Sequence, residues 1–196
     1  MHRLALSLAL SALAASTLGA SASAQTSTWK IDPAHSEVDF AVRHMSVSTV
    51  HGRFGGLDGA IQLNEQDPSK STVNVTINTT TIDTGVSPRD TDLKSANYFD
   101  VQKFPTATFT STKVEKNGAG YTISGNLTLH GVTKPVVLAV EPPTGPAPGM
   151  DHKPHMGYTA TTTFNRKDFG IGAGAPDAVI SEQVKLTIEL EVAKQQ

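Results

Sequence analysis

The chain has no cysteine. That absence excludes disulfide bridges, zinc–thiolate centres and thiol nucleophiles, and it leaves burial and backbone pairing to hold the fold together. Aromatic residues are scarce, 6% of 196 residues with a single Trp, so there is little bulk to fill the inside of a large shell. Past the first two dozen residues no apolar stretch approaches the about 20 residues that a membrane-spanning helix needs. An excess of basic charge is missing as well: 16 Lys and Arg stand against 18 Asp and Glu, which offers nothing to nucleic acid or to an anionic membrane surface.

What is present at the start is a leader. Arg3 precedes a Leu/Ala-rich run, and Ala22, Ser23 and Ala24 make a small-x-small cleavage signal, so residues 1–24 are expected to be a cleaved export signal and the mature protein to be periplasmic. Without a cysteine after that signal, lipid attachment at the new N-terminus is excluded. Residues 25–196 suit one domain. Loss of Arg3 leaves 15 basic against 18 acidic residues, a net charge of −3 with His neutral.

The mature chain is dominated by two-residue alternation. In the last segment Val184, Leu186, Ile188, Leu190 and Val192 share one face while Lys185, Thr187, Glu189 and Glu191 take the other, the pattern of a strand with one wet and one buried side. Similar strands are expected through Val38 to Val42, Arg53 to Leu63, Val73 to Ile77, Thr106 to Ser111, Tyr121 to Leu129, Val136 to Val140 and Tyr158 to Phe164. The one helix signal is Ser87 as N-cap, Pro88 at the first helical position and Asp90 three residues after the cap, which predicts a short helix to about Asn97 with Leu93 and Ala96 inward. Asn117-Gly118 and His130-Gly131 mark turns. Residues 142–154, rich in Pro and Gly, read as a loop.

Eight strands joined mostly by short turns must be antiparallel. Periodicity alone does not separate a sandwich from a barrel. Gly52, Gly55, Gly56 and Gly59, read as bulges or bends, favour a sheet that curls on itself, and an eight-stranded barrel is just wide enough to hold one small ligand. The expected fold is therefore all-β, an eight-stranded antiparallel barrel with one short helix.

Five stretches then stand together: DPAHS at 32–36 leading into VDFAVRH at 38–44; GRFGGLDG at 52–59; LKS at 93–95 with YFDV at 98–101 and FP at 104–105; GNLTLHGVTKPV at 125–136; and RKDFG at 166–170. In this order and spacing they resemble the YceI-like family of exported bacterial proteins. The resemblance implies a lipocalin-like barrel whose apolar pore holds a polyisoprenoid or similar long-chain amphiphile, of which isoprenoid quinones and polyprenyl phosphates are the classes the family suggests. The implied protein is a binder or carrier rather than an enzyme, without a cofactor. A homodimer is compatible with the sequence.

By alternation, the side chains expected to line such a pore are Val38, Phe40, Val42, Phe54, Val75, Ile77, Phe109, Ile123, Leu127, Leu129, Leu138, Tyr158, Phe164, Leu186 and Ile188. His44 keeps the parity of Phe40 and Val42 and is the candidate contact for a polar head group. Other combinations are weaker. His35, His44, His51 and His130 have no tight ligand spacing, and structural hydrogen bonds are the expected use. Asp32, His35 and Ser36 spell a nucleophilic triad, but neighbours at a strand entry are not expected to converge as base and nucleophile; Asp32 and Ser36 read as local backbone caps. Met150, His152, His155 and Met156 offer soft and borderline ligands, so copper handling is one rival reading, and an envelope enzyme acting on a lipid is another. Gly170, Gly172 and Gly174 imitate a phosphate loop, yet no helix follows and a turn is expected.

Overall fold

A computed structural model describes residues 26–195; the expected leader lies outside them. Among the described residues there are eleven strand segments, β1 (Thr26–Ile31), β2 (Glu37–His44), β3 (Ser48–Phe54), β4 (Leu57–Asn64), β5 (Thr72–Asn78), β6 (Thr106–Asn117), β7 (Gly120–Leu129), β8 (Val132–Val140), β9 (Thr144–Pro148), β10 (Pro154–Asn165) and β11 (Gln183–Lys194), and one α-helix, α1 (Ser87–Lys94). All pairings between them are antiparallel.

The eleven segments make eight staves. β1 and β2 run in one direction along β11, β1 against its end at Ile31↔Val192 and β2 against its middle at Val38↔Ile188, so they are two halves of one strand broken at residues 32–36. β3 and β4 follow the same rule, pairing with β2 and β1 on either side of Gly55 and Gly56. β8 and β9 do so along β10. β10 then closes the ring on β11 in unbroken register from Asn165↔Gln183 to His155↔Ala193. The expected closed eight-stranded barrel is the observed one.

Closure is complete only at one end. There β4 pairs with β5 from Leu57↔Ile77 to Gln62↔Thr72. At the other end β3 has no strand beyond it, and Arg53 instead meets Asp83 in an isolated bridge. β8 and β10 also part there, their direct register being limited to Ala160↔Val140 and Thr161↔Ala139. The two gaps are filled by the β5–β6 connection, which carries α1, and by the segment between β10 and β11, whose first turn is a 3₁₀ helix at Arg166–Phe169.

Several local expectations change. α1 ends at Lys94, and its N-cap is Val86 without a side-chain bond. The Asp90 carboxylate accepts from the backbone N–H and hydroxyl of Thr84; with the carboxylate drawn upstream, the Ser87–Asp90 capping box does not form. Leu93 is half-buried as expected, whereas Ala96 is exposed because the helix has already ended. The first half of loop 142–154 is the strand β9, since the β8 stave resumes once past its break. The second stave starts at Ser48, five residues earlier than its alternation signalled, because glycines and polar residues mask the period there. Gly52 is neither bulge nor bend: it stands opposite Phe40 in regular register, and a Cβ there would come within 2.3 Å of that ring. Gly125 seats the Phe109 ring in the same way. Gly59 is the position that needs glycine's backbone freedom, with φ of 146° and its missing Cβ aimed at the Asn74 carbonyl.

Candidate ligand-binding bore

The inward faces of the staves enclose a bore of two chambers that share Val38, Ile77, Leu127 and Leu186 on their walls. The narrow chamber, about 100 Å³, lies in the fully closed half and is lined by side chains such as Val75, Phe109, Ile123, Leu138, Tyr158 and Ile188. Ser71, Thr162 and the hydroxyl-bearing Tyr121 and Tyr158 are its polar members. Burial pushes the Tyr158 hydroxyl up to about 12, so it stays neutral, and it points at the Met156 sulfur 3.9 Å away. The wide chamber, about 670 Å³, lies in the half with the open seams and falls in the size range of small-molecule sites. Phe40, Val42, Phe54, Leu129 and Phe164 form its strand wall.

The structure places all sixteen residues expected at the bore on the wall of one chamber or the other. His44, exposed to solvent, stands at the wide mouth. Two kinds of wall residue escape the sequence reading. Val114 is one: an unpaired Thr112 makes a bulge between Ser111 and Lys113, which shifts the parity of β6 and turns Val114 inward with Phe109. The other kind comes from segments without period, namely Arg89 and Asp92 of α1 and Ile171, Val179 and Ile180; Leu93, expected to face inward, joins them on the wall with Tyr98 and Phe99.

At the wide mouth Arg89 is tethered, Nε donating to the Thr84 hydroxyl at 2.8 Å and Nη2 to the Thr84 carbonyl at 3.1 Å. Exposed apolar side chains border this end: Met45 and Val47 at the tip of the β2–β3 hairpin, Val86 before α1, and Val179. Deeper in, Arg166 is 3% exposed. Its guanidinium donates to the carbonyls of Ile171, Gly172, Ala175, Ile180 and Ser181. A buried cation with every donor engaged is a clasp for the chain around it, and here it fixes the segment that closes one seam. Gly170 to Gly174 is the turn that Arg166 gathers, and its N–H groups at 170, 171 and 172 are bonded to the carbonyls of Lys167, Arg166 and Asn97.

A family model, the YceI-like domain, matches residues 29–192. The chain belongs to the YceI-like family. A UPF0312 protein of Pectobacterium carotovorum is 41% identical over 189 residues, covering 95% of this chain and 96% of that one. Among solved structures, Burkholderia cenocepacia BcnA superposes with a TM-score of 0.74 at 18% identity, over 82% of this chain and 98% of the other. A domain of Saccharophagus degradans described as polyisoprenoid-binding superposes with a TM-score of 0.63 at 18% identity, over 85% and 98% of the two chains. These two likenesses concern the fold.

Much of what carries the YceI-like resemblance sits where the barrel departs from regularity, while VDFAVRH and GNLTL lie in the regular strands β2 and β7. DPAHS is the break between β1 and β2, GRFGGLDG spans the break between β3 and β4, the stretch from Leu93 to Pro105 leaves α1 to fill one seam, and RKDFG carries Arg166 into the other. His130 and Gly131 turn β7 into β8 with φ of 52° and 75°, and His130 Nδ1 lies 3.0 Å from the Phe169 carbonyl while its ring packs on Phe104.

The Asp32, His35, Ser36 set behaves in part against expectation. Asp32 and His35 do converge, Oδ2 to Nδ1 at 2.9 Å, because the turn folds back on itself. The hydrogen bond with His35, then that from the Ala34 N–H, holds the Asp32 carboxyl below its ordinary range. Ser36 is no local cap: its hydroxyl receives the Glu191 N–H at 3.0 Å and donates to the Glu191 carbonyl at 3.3 Å, which ties the strand break to β11. With that hydroxyl occupied, the three do not form a relay. In loop 150–156 Met150 is 98% exposed, and both ring nitrogens of His155 are turned to carboxylates, Nδ1 to Glu191 at 2.6 Å and Nε2 to Asp151 at 3.0 Å.

Proposed function

We propose that this protein binds an isoprenoid lipid, an isoprenoid quinone or a polyprenyl phosphate, with its tail along the bore and its head at the wide mouth, and that it serves as a non-enzymatic carrier in the bacterial periplasm. The observation that carries the reading is a pair of apolar chambers stacked inside the barrel, with four wall residues in common. That shape suits a long tail. Burial of a methylene contributes about 0.8 kcal/mol, so a five-carbon unit contributes about 4 kcal/mol before ordering costs, and a few units suffice for tight binding. A head contact at His44 or Arg89, worth about 1–3 kcal/mol if charge-assisted, orients the molecule rather than retaining it.

Membership in the YceI-like family supports the reading, as does the fold shared with the polyisoprenoid-binding domain of Saccharophagus degradans. The Leu/Ala-rich leader with its Ala22-Ser23-Ala24 signal supports the location. Organic extraction of the purified protein followed by mass spectrometry tests it: an isoprenoid lipid is expected, and stripped protein is expected to take up a quinone or a polyprenyl phosphate one-to-one. Release of no lipid together with failure to take up either class sinks the reading. Conversion of the bound lipid to a new mass would replace carriage with catalysis.

A further inference from the structure

We propose that Asp32, His35 and Glu191 form a binding site for a divalent transition-metal ion on the outer surface of the barrel, with His155 and Asp151 fixing the Glu191 carboxylate. One ligand atom from each of the first three lies within 4.8 Å of the other two. Zinc bonds of about 2.0–2.2 Å place tetrahedral ligands about 3.4 Å apart, so a small closure of side chains completes the set. The groups come from separate parts of the chain. Asp32 and His35 belong to the break between β1 and β2, Glu191 to the outward face of β11, and His155 and Asp151 to the start of β10 and the loop before it.

The backbone holds this arrangement. Glu191 accepts from the Asp32 N–H at 2.9 Å and is bonded to the Ser36 hydroxyl through both N–H and carbonyl, so its side chain is fixed beside the turn. His155 Nδ1 meets Glu191 Oε1 at 2.6 Å, and its Nε2 meets Asp151 Oδ1 at 3.0 Å. A carboxylate oriented by an imidazole that is itself held by a second carboxylate is the kind of support that metal ligands receive. Gly149 leaves the room, since a Cβ there would come within 2.4 Å of His155 Nε2. Lys153 lies 3.8 Å from Asp151, whereas the Asp32 and Glu191 carboxylates face only imidazoles, and a divalent cation offsets their negative charge. One imidazole and two carboxylates, with His155 adjacent, is a nitrogen–oxygen set suited to an ion such as zinc. His35 is 62% exposed and Asp32 25%, so the ion has access from solvent. The site lies outside the bore and is independent of the lipid reading.

Calorimetric titration of tag-free, lipid-stripped protein with Zn²⁺ decides the matter, with circular dichroism to check each variant's fold. One-to-one binding is expected in the protein, a loss of at least about 100-fold in Glu191→Gln and in His35→Ala, and about 10–100-fold weakening in His155→Ala. His152→Ala should bind as the parent does. Zn²⁺ should raise the melting temperature of the parent and leave that of Glu191→Gln unmoved. No saturable binding, or parent-like binding in both His35→Ala and Glu191→Gln, overturns the proposal; so does a loss in His152→Ala equal to theirs, which would move the ion to loop 150–156.

Discussion

The two ends of the bore are built from the same strands by different means. At the narrow end each stave is hydrogen-bonded to its neighbours around the ring, and the wall is a period-two array of aliphatic and aromatic side chains. At the wide end two seams stay open, and the wall includes α1, the residues after it and the segment gathered by Arg166. A ladder of backbone bonds pairs its own polar groups and fixes a narrow bore, and with one face of each strand given to apolar side chains it offers few places for charged ones. Irregular segments supply such places, at the cost of needing clasps of their own. Arg166 is that clasp, and Arg89 and Asp92 are what the irregular end gains, beside His44 at the end of β2.

The comparison is broken most severely at the clasp. Arg166→Met should cost about 3–5 kcal/mol in urea denaturation, because the buried carbonyls of five residues lose their donor together, and hydrogen exchange should rise between β10 and β11 while the narrow end stays protected. Unchanged stability would mean that the wide end holds without it. Next in size is a plug between the chambers. Ile77→Trp should leave a ligand of one or two isoprene units bound as before and weaken a long-chain one about 100-fold or more, since the lost burial of a single unit is about 4 kcal/mol; fluorescence-quench titrations with a chain-length series would show it. Equal loss for short and long chains would show that the chambers do not act in sequence.

At the mouth, His44→Ala should weaken a polar-headed ligand by about 1 kcal/mol, roughly fivefold, and leave a head-group-free hydrocarbon unaffected. The smallest effect is expected from acid. Asp177 bonds to Lys167 and faces Arg166 beside the clasped segment, and the hydrogen bond from Lys167 lowers its carboxyl from the ordinary 3.8. Its contribution to stability is then present above pH 3.8 and is lost as pH falls through the lowered folded value. Urea midpoints taken from pH 5 down to pH 2 should fall less steeply below 3.8 in Asp177→Asn than in the parent.

Legibility in the sequence follows the same division. Phe40, Val75, Ile123, Leu138 and Ile188 were readable as wall residues because strand parity is a property of the local chain. Val114 was not, since the bulge at Thr112 that turns it inward depends on the register with β7. Ile171, Val179 and Ile180 line the wide chamber from segments with no period at all. Arg166 was visible within a family motif, but its role requires five carbonyls brought round from residues 171–181. Asp32 and His35 were weighed only within a triad with Ser36, whose base and nucleophile were not expected to converge; the turn brings the carboxylate and the imidazole together, and β11 adds Glu191 from 156 residues beyond His35.

The sequence by itself determined that this protein has one wet and one oily face repeated over eight strands, that no disulfide secures them, and which side chains share the oily face, because alternation and composition are written residue by residue. Tertiary structure decided that three of the eight strands are broken in two, that the ring is sealed at one end and patched at the other, and that groups distant in the chain meet at the breaks. Those outcomes depend on how the strands of a closed, tilted ring line up with one another, and no local stretch of sequence carries that information.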